Sequence, residues 1–145
     1  MPGITGKTLL HVHNMPIRFN EVDSMGIVWH GHYVQYLEEA REQFGLKEGI
    51  DYLTIAAQGY RIPVVDMQIK YRRSLRYGDH IRIECEYVDT VAAKIIFRYS
   101  LYNASGGELC ASAETVQVFI DENEILQLTY PGFFLEWKRK AGLLS

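Results

Sequence analysis

The second half of the chain consists of long strand-like segments joined by short turns, and this pattern limits the fold more than any other feature. Apolar and polar side chains alternate along two of four segments, which is the period of a strand with one buried face, whereas the third is apolar on both parities near residues 95–97 and fits a central strand covered on both faces. These segments cover approximately 65–72, 81–87, 94–102 and 109–120. Turns such as 77–79 and 103–107 are rich in glycine and polar residues. Parallel neighbours need long crossover connections, so the short turns predict antiparallel hairpins.

A helix is predicted ahead of these strands, over residues 32–46. Its apolar side chains recur at i, i+3, i+4, i+7 and i+11 and form one stripe, which consists of Tyr33, Tyr36, Leu37, Ala40 and Phe44. Charged and amide side chains fill the opposite side, and Gly45 and Gly49 supply stop signals. A second, short helix fits residues 51–58, with Asp51 as its N-cap.

The two ends of the chain carry weaker patterns. Alternating apolar residues predict a first strand over 8–19, interrupted near Pro16, after a loose terminus at residues 1–7. A last helix is predicted at about 131–144.

Together these elements indicate an α+β fold in which a curved antiparallel sheet of about five strands wraps around one long helix. We expect a single domain over residues 1–145, with its core at about 8–121. One helix cannot cover both faces and the open edge of such a sheet. The sequence therefore predicts a homo-oligomer, either a dimer or a dimer of dimers.

The composition is that of an ordinary globular protein and excludes several classes of function. A net charge of −3 argues against a nucleic-acid binder, which usually carries a strongly basic face. The sequence has no run of eighteen apolar residues and no basic-then-apolar leader, so neither a membrane span nor a signal peptide is predicted. Without a secretory signal, Cys85 and Cys110 are expected to be reduced thiols. We therefore expect a cytoplasmic protein.

A carboxylate a few residues ahead of the long helix is the strongest candidate for chemistry. Asp23 lies three residues before Gly26 and seven before His30. It is therefore close to a helix start, where backbone N–H groups have no intrahelical partner and can stabilise an oxyanion. The apolar residues 27–29 would cover the site and exclude water. The alternative is that Asp23 only caps a turn, as loop aspartates commonly do.

This segment resembles the hot-dog-fold acyl-CoA thioesterases of the 4-hydroxybenzoyl-CoA thioesterase type. The matching motif is an aspartate, two variable residues, a glycine, two aliphatic residues, an aromatic residue and a histidine. Here it reads Asp23-Ser-Met-Gly26-Ile-Val-Trp-His30, with a further aromatic residue at Tyr33. Residues 71–79 resemble the end of the family's second strand and its Gly-Asp turn. The order of elements also matches, from about residue 15 to residue 120.

The resemblance implies an enzyme that hydrolyses an acyl-CoA thioester to a free acid and CoA. Asp23 would be the catalytic carboxylate, either as the nucleophile or as the general base for water. The backbone N–H of His30 would polarise the thioester oxygen, and its imidazole would help to position the substrate or water. The acyl group would lie in an apolar channel lined by Gly26, Ile27, Val28, Trp29 and Tyr33. No cofactor is implied, because CoA is part of the substrate.

Coenzyme A carries phosphate groups, so its binder needs a local positive patch even on a net acidic protein. Arg72 and Arg73 cluster at one strand end, and Lys94 begins a later strand. These three side chains are the predicted CoA contacts. The alternative is a solvated basic edge that discourages strand pairing.

Other assignments remain open. The segment also resembles the motif of a sister branch of hot-dog thioesterases, in which His-Gly-Gly is followed about nine residues later by an acidic residue. His30 and Glu39 have this spacing. His30 with Glu38 or Glu39 could also serve the acid–base chemistry of a hydroxyacyl-thioester dehydratase. A non-catalytic acyl-CoA-binding module on the same scaffold is a further alternative. The His-x-His pairs at 11–13 and 30–32 lack a third ligand at metal-binding spacing, so no metal site is predicted.

Overall fold

The computed structural model describes residues 3–144. Within them, the strands and helices are β1 (Ile4–Pro16), α1 (His32–Glu48), α2 (Tyr52–Ala57), β2 (Val64–Tyr71), β3 (His80–Thr90), β4 (Lys94–Asn103), β5 (Leu109–Val118) and α3 (Gly132–Lys140). None of these helices has the length and apolar character needed to cross a membrane. The strands form one antiparallel sheet in the order β1-β3-β4-β5-β2. This confirms the predicted α+β fold with an antiparallel sheet of five strands.

α1 packs against one face of this sheet, where it contacts β1 and β3. Its predicted apolar stripe is buried along its whole length, and Tyr36 and Phe44 are completely inaccessible to solvent. Every second side chain of β3 packs in the same core as this stripe. The apolar residues with strand period in β3 and those with helical period in α1 therefore form one core. Burying each of the large rings stabilises the fold by roughly 1.5–3 kcal/mol. α1 ends at Glu48, two residues beyond the predicted end, and Gly49, with φ +77°, caps it.

β1 differs from its prediction at both ends. It begins at Ile4, within the segment that was expected to be loose, because Ile4 pairs with Thr90 at the end of β3. It ends at Pro16, and the chain then forms a 3-10 turn over Phe19–Glu21 instead of continuing as a strand to residue 19. Residues 1 and 2 lie outside the described residues.

α3 ends at Lys140, earlier than the predicted 144, and packs against the same core as α1. Its Phe134 and Trp137 are buried, and the Trp137 ring lies 5.1 Å from that of Tyr87, measured between centroids. The next residue, Lys138, is also buried and forms an ion pair with Asp89 of β3 at 2.8 Å. A charged residue thus joins the last helix to the sheet.

β2 forms one edge of the sheet. It pairs with β5 on one side, and in the described part of the chain no strand pairs with its other side. Most of its side chains are exposed, and Val65 retains 59% of its accessible surface. An apolar edge strand of this kind is a surface to which another chain can add a strand.

Candidate active site

The loop between the 3-10 turn and α1 holds Asp23 in a tight backbone turn. Asp23 Oδ1 accepts hydrogen bonds from the amides of Met25, at 2.8 Å, and Ile27, at 3.4 Å. Gly26 has φ +77°, a left-handed conformation that a residue without a Cβ adopts without strain. No hydrogen-bond donor among residues 3–144 reaches Asp23 Oδ2. One carboxylate oxygen therefore orients the side chain, and the other is free for chemistry.

A second aspartate makes the same turn elsewhere in the chain. Asp121 Oδ1 accepts hydrogen bonds from the amides two and four residues later, those of Asn123 at 2.9 Å and Ile125 at 3.0 Å. However, Asp121 Oδ2 accepts a hydrogen bond from Gln127 at 3.3 Å. The turn alone therefore does not mark a catalytic aspartate. What sets Asp23 apart is its free second oxygen and the cavity beside it.

This cavity has a volume of about 290 Å³ and lies between the start of α1 and the end of β2. It is lined by Asp23, Ile27, Val28, Trp29, His30 and Tyr33 on one side, and by Tyr71, Arg72, Arg73 and Ser74 on the other. The fold thus brings together both predicted catalytic residues, four of the five predicted acyl contacts and two of the three predicted CoA contacts. The fifth acyl contact, Gly26, shapes the Asp23 turn instead of lining the cavity.

The amide of His30 is the donor that the site offers to a substrate oxygen. It lies just before α1 and forms no hydrogen bond with another residue of the described chain. The amide of Trp29 donates to Glu21 O at 3.1 Å, and the Tyr71 hydroxyl donates to His30 O at 3.1 Å. A Cβ on Gly31 would collide with the Trp29 ring, so another residue at this position would displace that ring. These contacts orient the free amide at the positive end of the α1 dipole.

Glu21 holds the loop to α1, a role that the sequence reasoning missed. It is 5% exposed, and its Oε1 accepts hydrogen bonds from the Arg18 amide at 2.7 Å and the Tyr36 hydroxyl at 3.1 Å. Burial, together with this carboxylate, raises the pKa of Tyr36 above its usual range, so the hydroxyl remains a donor. Since Glu21 O also binds the Trp29 amide, the residue fixes the start and the end of the Asp23 loop. The sequence feature that could have indicated this role is the i,i+3 spacing of Arg18 and Glu21, which allows an ion pair across one turn.

The apolar cover expected over the site is incomplete within one chain. Asp23 and His30 are exposed, and Trp29 retains 52% of its accessible surface. The cavity opens beside the end of β2, the edge strand that no described strand covers. Within the described residues the cavity is therefore open to solvent.

Glu39, the rival carboxylate, does not line this cavity. It lies beside β1, where its carboxylate is 3.5 Å from the Arg18 guanidinium and 3.8 Å from His13 Nε2. Glu38 does not line the cavity of His30 either, so within the described chain neither glutamate meets His30 there, as the sister-branch thioesterase and dehydratase interpretations would require.

Lys94 is separated from the two arginines in the same chain. It pairs with Val118 at one end of β5, whereas Tyr71, just before the arginines, pairs with Ala111 at the other end. Seven residues of extended strand span about 23 Å. The structure therefore groups Arg72 with Arg73 and places Lys94 at the opposite end of the sheet.

The remaining histidines and cysteines have other surroundings. His11 and His13 each face a glutamate of α1, and His11 Nε2 lies 2.6 Å from Glu48. Among the residues that the structure describes, no three metal-ligating side chains cluster. Burial raises the pKa of Cys85 to about 12, so its thiol stays protonated and is a poor nucleophile.

The sequence and the fold match those of known proteins. The family model of the thioesterase-like superfamily matches residues 17–137, and the chain belongs to this superfamily. The Bacillus subtilis protein YneP is 29% identical over 83% of this chain and 87% of its own length. The acyl-CoA thioester hydrolase YbgC of Escherichia coli is 25% identical over 73% of this chain and 80% of its own.

The solved structures support the same fold. A mutant 4-hydroxybenzoyl CoA thioesterase in complex with 4-hydroxybenzoyl CoA superposes with a TM-score of 0.76, at 23% identity, over 88% of this chain and 97% of that one. The predicted resemblance to hot-dog thioesterases is thereby confirmed, and the chain is a thioester hydrolase by family.

Proposed function

We propose that the protein hydrolyses acyl-CoA thioesters at the cavity beside Asp23. One observation carries this proposal: Asp23 Oδ2 and the His30 amide are both without partners in the described chain, and both residues line the same cavity. A thioesterase requires this pair, since one group attacks or deprotonates and the other stabilises negative charge on oxygen. The name of the relative YbgC supports CoA as the carrier.

The reaction would begin with attack on the thioester carbon, either by Asp23 itself or by a water that Asp23 deprotonates. The negative charge that develops on the thioester oxygen would be stabilised by the His30 amide and the start of α1. Collapse of the tetrahedral species breaks the C–S bond and releases CoA as a thiolate, which takes up a proton. If Asp23 attacks directly, water then hydrolyses the resulting anhydride. These steps need only Asp23, water and the His30 amide, and CoA belongs to the substrate, so the proposed chemistry uses no metal or redox cofactor.

A thiol-release screen across short, long and aromatic acyl-CoAs tests this function. We expect free thiol in amounts that match the acid formed. Tight acyl-CoA binding without thiol release would contradict hydrolysis and favour a binding module. A hydratase would convert an unsaturated acyl-CoA without releasing thiol.

Arg72 and Arg73 are the proposed contacts for the CoA phosphates. Their amides both donate to Cys110 O, at 2.8 Å and 3.1 Å, which fixes the segment, while their side chains are exposed and form no ion pair within residues 3–144. We expect Arg72→Gln and Arg73→Gln each to raise KM roughly tenfold, since a charge-assisted hydrogen bond contributes about 1.5–3 kcal/mol. Because this removes uniform binding, kcat should change little.

Steady-state kinetics with one acyl-CoA measures both constants. Arg98→Gln is the matched control, because Arg98 is also an exposed strand arginine but pairs with Glu114 away from the cavity. A large fall in kcat with an unchanged KM would place these arginines in a different role.

The proposed assembly is a homodimer that forms through β2. If β2 pairs antiparallel with a second copy about its midpoint, Tyr71 comes opposite the partner subunit's Val64. The exposed Val65 side chain and the open site beside Tyr71 would then both be covered. Light scattering should give at least twice the mass of one chain, and a monomer at micromolar concentration would contradict the assembly.

The unpaired Cys85 and Cys110 support a reducing, cytoplasmic location.

A further inference from the structure

The start of α1, next to the proposed oxyanion donor, has no side-chain cap. Its N-cap residue is Gly31, which has no side chain that could accept a hydrogen bond from the first amides of the helix. Helix ends fray, and a glycine adds backbone freedom at this point. An amide that must meet the thioester oxygen at a fixed distance therefore needs support from elsewhere in the fold.

Two neighbouring peptide units determine where the His30 amide points. Its N–H belongs to the planar trans peptide that carries the carbonyl of Trp29, so these two groups point in opposite directions. Trp29 O accepts a hydrogen bond from the His32 amide at 3.0 Å. The following peptide unit carries His30 O. If that carbonyl turns, the backbone torsion angles of His30 change, and the direction of its N–H changes with them.

His30 O is tied to the sheet by Tyr71, the last residue of β2. The Tyr71 hydroxyl donates to it at 3.1 Å, and the Tyr33 amide donates to it at the longer distance of 3.3 Å. His30 and Tyr71 lie on opposite sides of the cavity beside Asp23. The hydroxyl thus joins the two walls of the site and supplies the support that the helix start lacks.

Aromatic contacts hold the Tyr71 ring in place. Its centroid is 5.0 Å from that of Tyr33, with the two rings perpendicular, and 6.3 Å from that of the His30 imidazole. Tyr33 is only 3% exposed and belongs to the core. The hydroxyl is therefore presented from a fixed ring, and its hydrogen bond extends the rigidity of the core to the residue before α1.

We propose that Tyr71 is a positioning residue that aligns the His30 amide with the thioester oxygen. This inference rests on the proposed thioesterase function. Tyr71 neither attacks the substrate nor gives it a proton, because its hydroxyl hydrogen is engaged with His30 O. Alignment alone is sufficient for a large effect, since a displacement of about 1 Å can lower a rate by roughly 10²-fold.

Tyr71→Phe removes the hydroxyl and keeps the ring. We expect kcat for an acyl-CoA to fall roughly tenfold or more and KM to change by less than about twofold, because the amide acts on charge that develops in the transition state. Tyr130→Phe is the matched control, since its hydroxyl also donates to backbone oxygens, those of Thr90 at 2.9 Å and Lys94 at 2.8 Å, away from the cavity. It should lower the midpoint of urea unfolding at least as much as Tyr71→Phe and leave kcat unchanged.

Two kinetic results would overturn the proposal. A raised KM with unchanged kcat would make Tyr71 a substrate contact. A kcat within about twofold of the wild-type value would show that the amide is aligned without the hydroxyl.

Amide hydrogen exchange keeps this inference separate from the proposed function. The amides of Trp29 and His32 donate to Glu21 O at 3.1 Å and to Trp29 O at 3.0 Å, so they report whether this segment is held. In Tyr71→Phe at least one of them should exchange roughly two- to tenfold faster, the effect of one lost hydrogen bond, and in Tyr130→Phe neither should change. If no acyl-CoA is hydrolysed, the proposed function fails, but faster exchange still supports the positioning role. Unchanged exchange of both amides overturns it.

Discussion

Asp23→Asn should lower the turnover of acyl-CoA by roughly 10²–10⁴-fold, the range that a positioned acid or base contributes. An amide can neither attack the thioester nor take a proton from water. It can still accept the hydrogen bonds of the Met25 and Ile27 amides through its oxygen. The turn, the fold and the KM should therefore change little, and the loss should be confined to kcat. Thiol release under saturating substrate measures it.

Asp121→Asn is the control that this chain itself provides. It makes the same change in the same backbone turn but away from the cavity, so turnover should be unaffected. His30→Ala should have a smaller effect than Asp23→Asn, because the backbone amide of residue 30 remains. Near-normal turnover in Asp23→Asn together with a large loss in Glu39→Gln would transfer the catalytic role to Glu39.

Local patterns were sufficient to predict the elements that carry the site. The stripe from Tyr33 to Phe44 has the helical period and is buried in the structure as predicted. The motif from Asp23 to His30 is also local, so Asp23 and residues 27–30 line one cavity once the turn and α1 form. For such short segments, the spacing in the sequence determines the spacing in space.

Contacts between distant segments could not be predicted in the same way. Lys94 was grouped with Arg72 and Arg73 because all three are basic and lie near strand ends, but the strand order separates Lys94 from the arginines. The start of β1 at Ile4 likewise depends on pairing with β3, because its own residues lack a buried alternation. Gln117 lies between two valines, and only the structure reveals that its side chain is buried and that no donor in residues 3–144 reaches its Oε1.

Lys138→Met should lower the free energy of unfolding by roughly 3–5 kcal/mol, the usual cost of removing one partner of a buried ion pair. Lys138 and Asp89 side chains each retain only 2% of their accessible surface, and their charged groups are 2.8 Å apart. The ammonium also donates to Thr90 O at 3.0 Å and lies 4.3 Å from the centre of the Tyr130 ring. After the substitution, Asp89 would keep the Thr5 hydroxyl as a donor but would have lost its counter-charge. Urea unfolding measures the change.

Two further variants separate the charge from the packing. Lys140→Met changes an exposed lysine of the same helix and should shift stability by no more than about 0.5 kcal/mol. Adding Asp89→Leu to Lys138→Met should recover much of the loss, because the desolvated carboxylate is then gone. If the single and double variants were equally destabilised, the lysine stem would matter through packing against Tyr130 and not through its charge. A loss no larger than that of Lys140→Met would show that α3 is held by Phe134 and Trp137 alone.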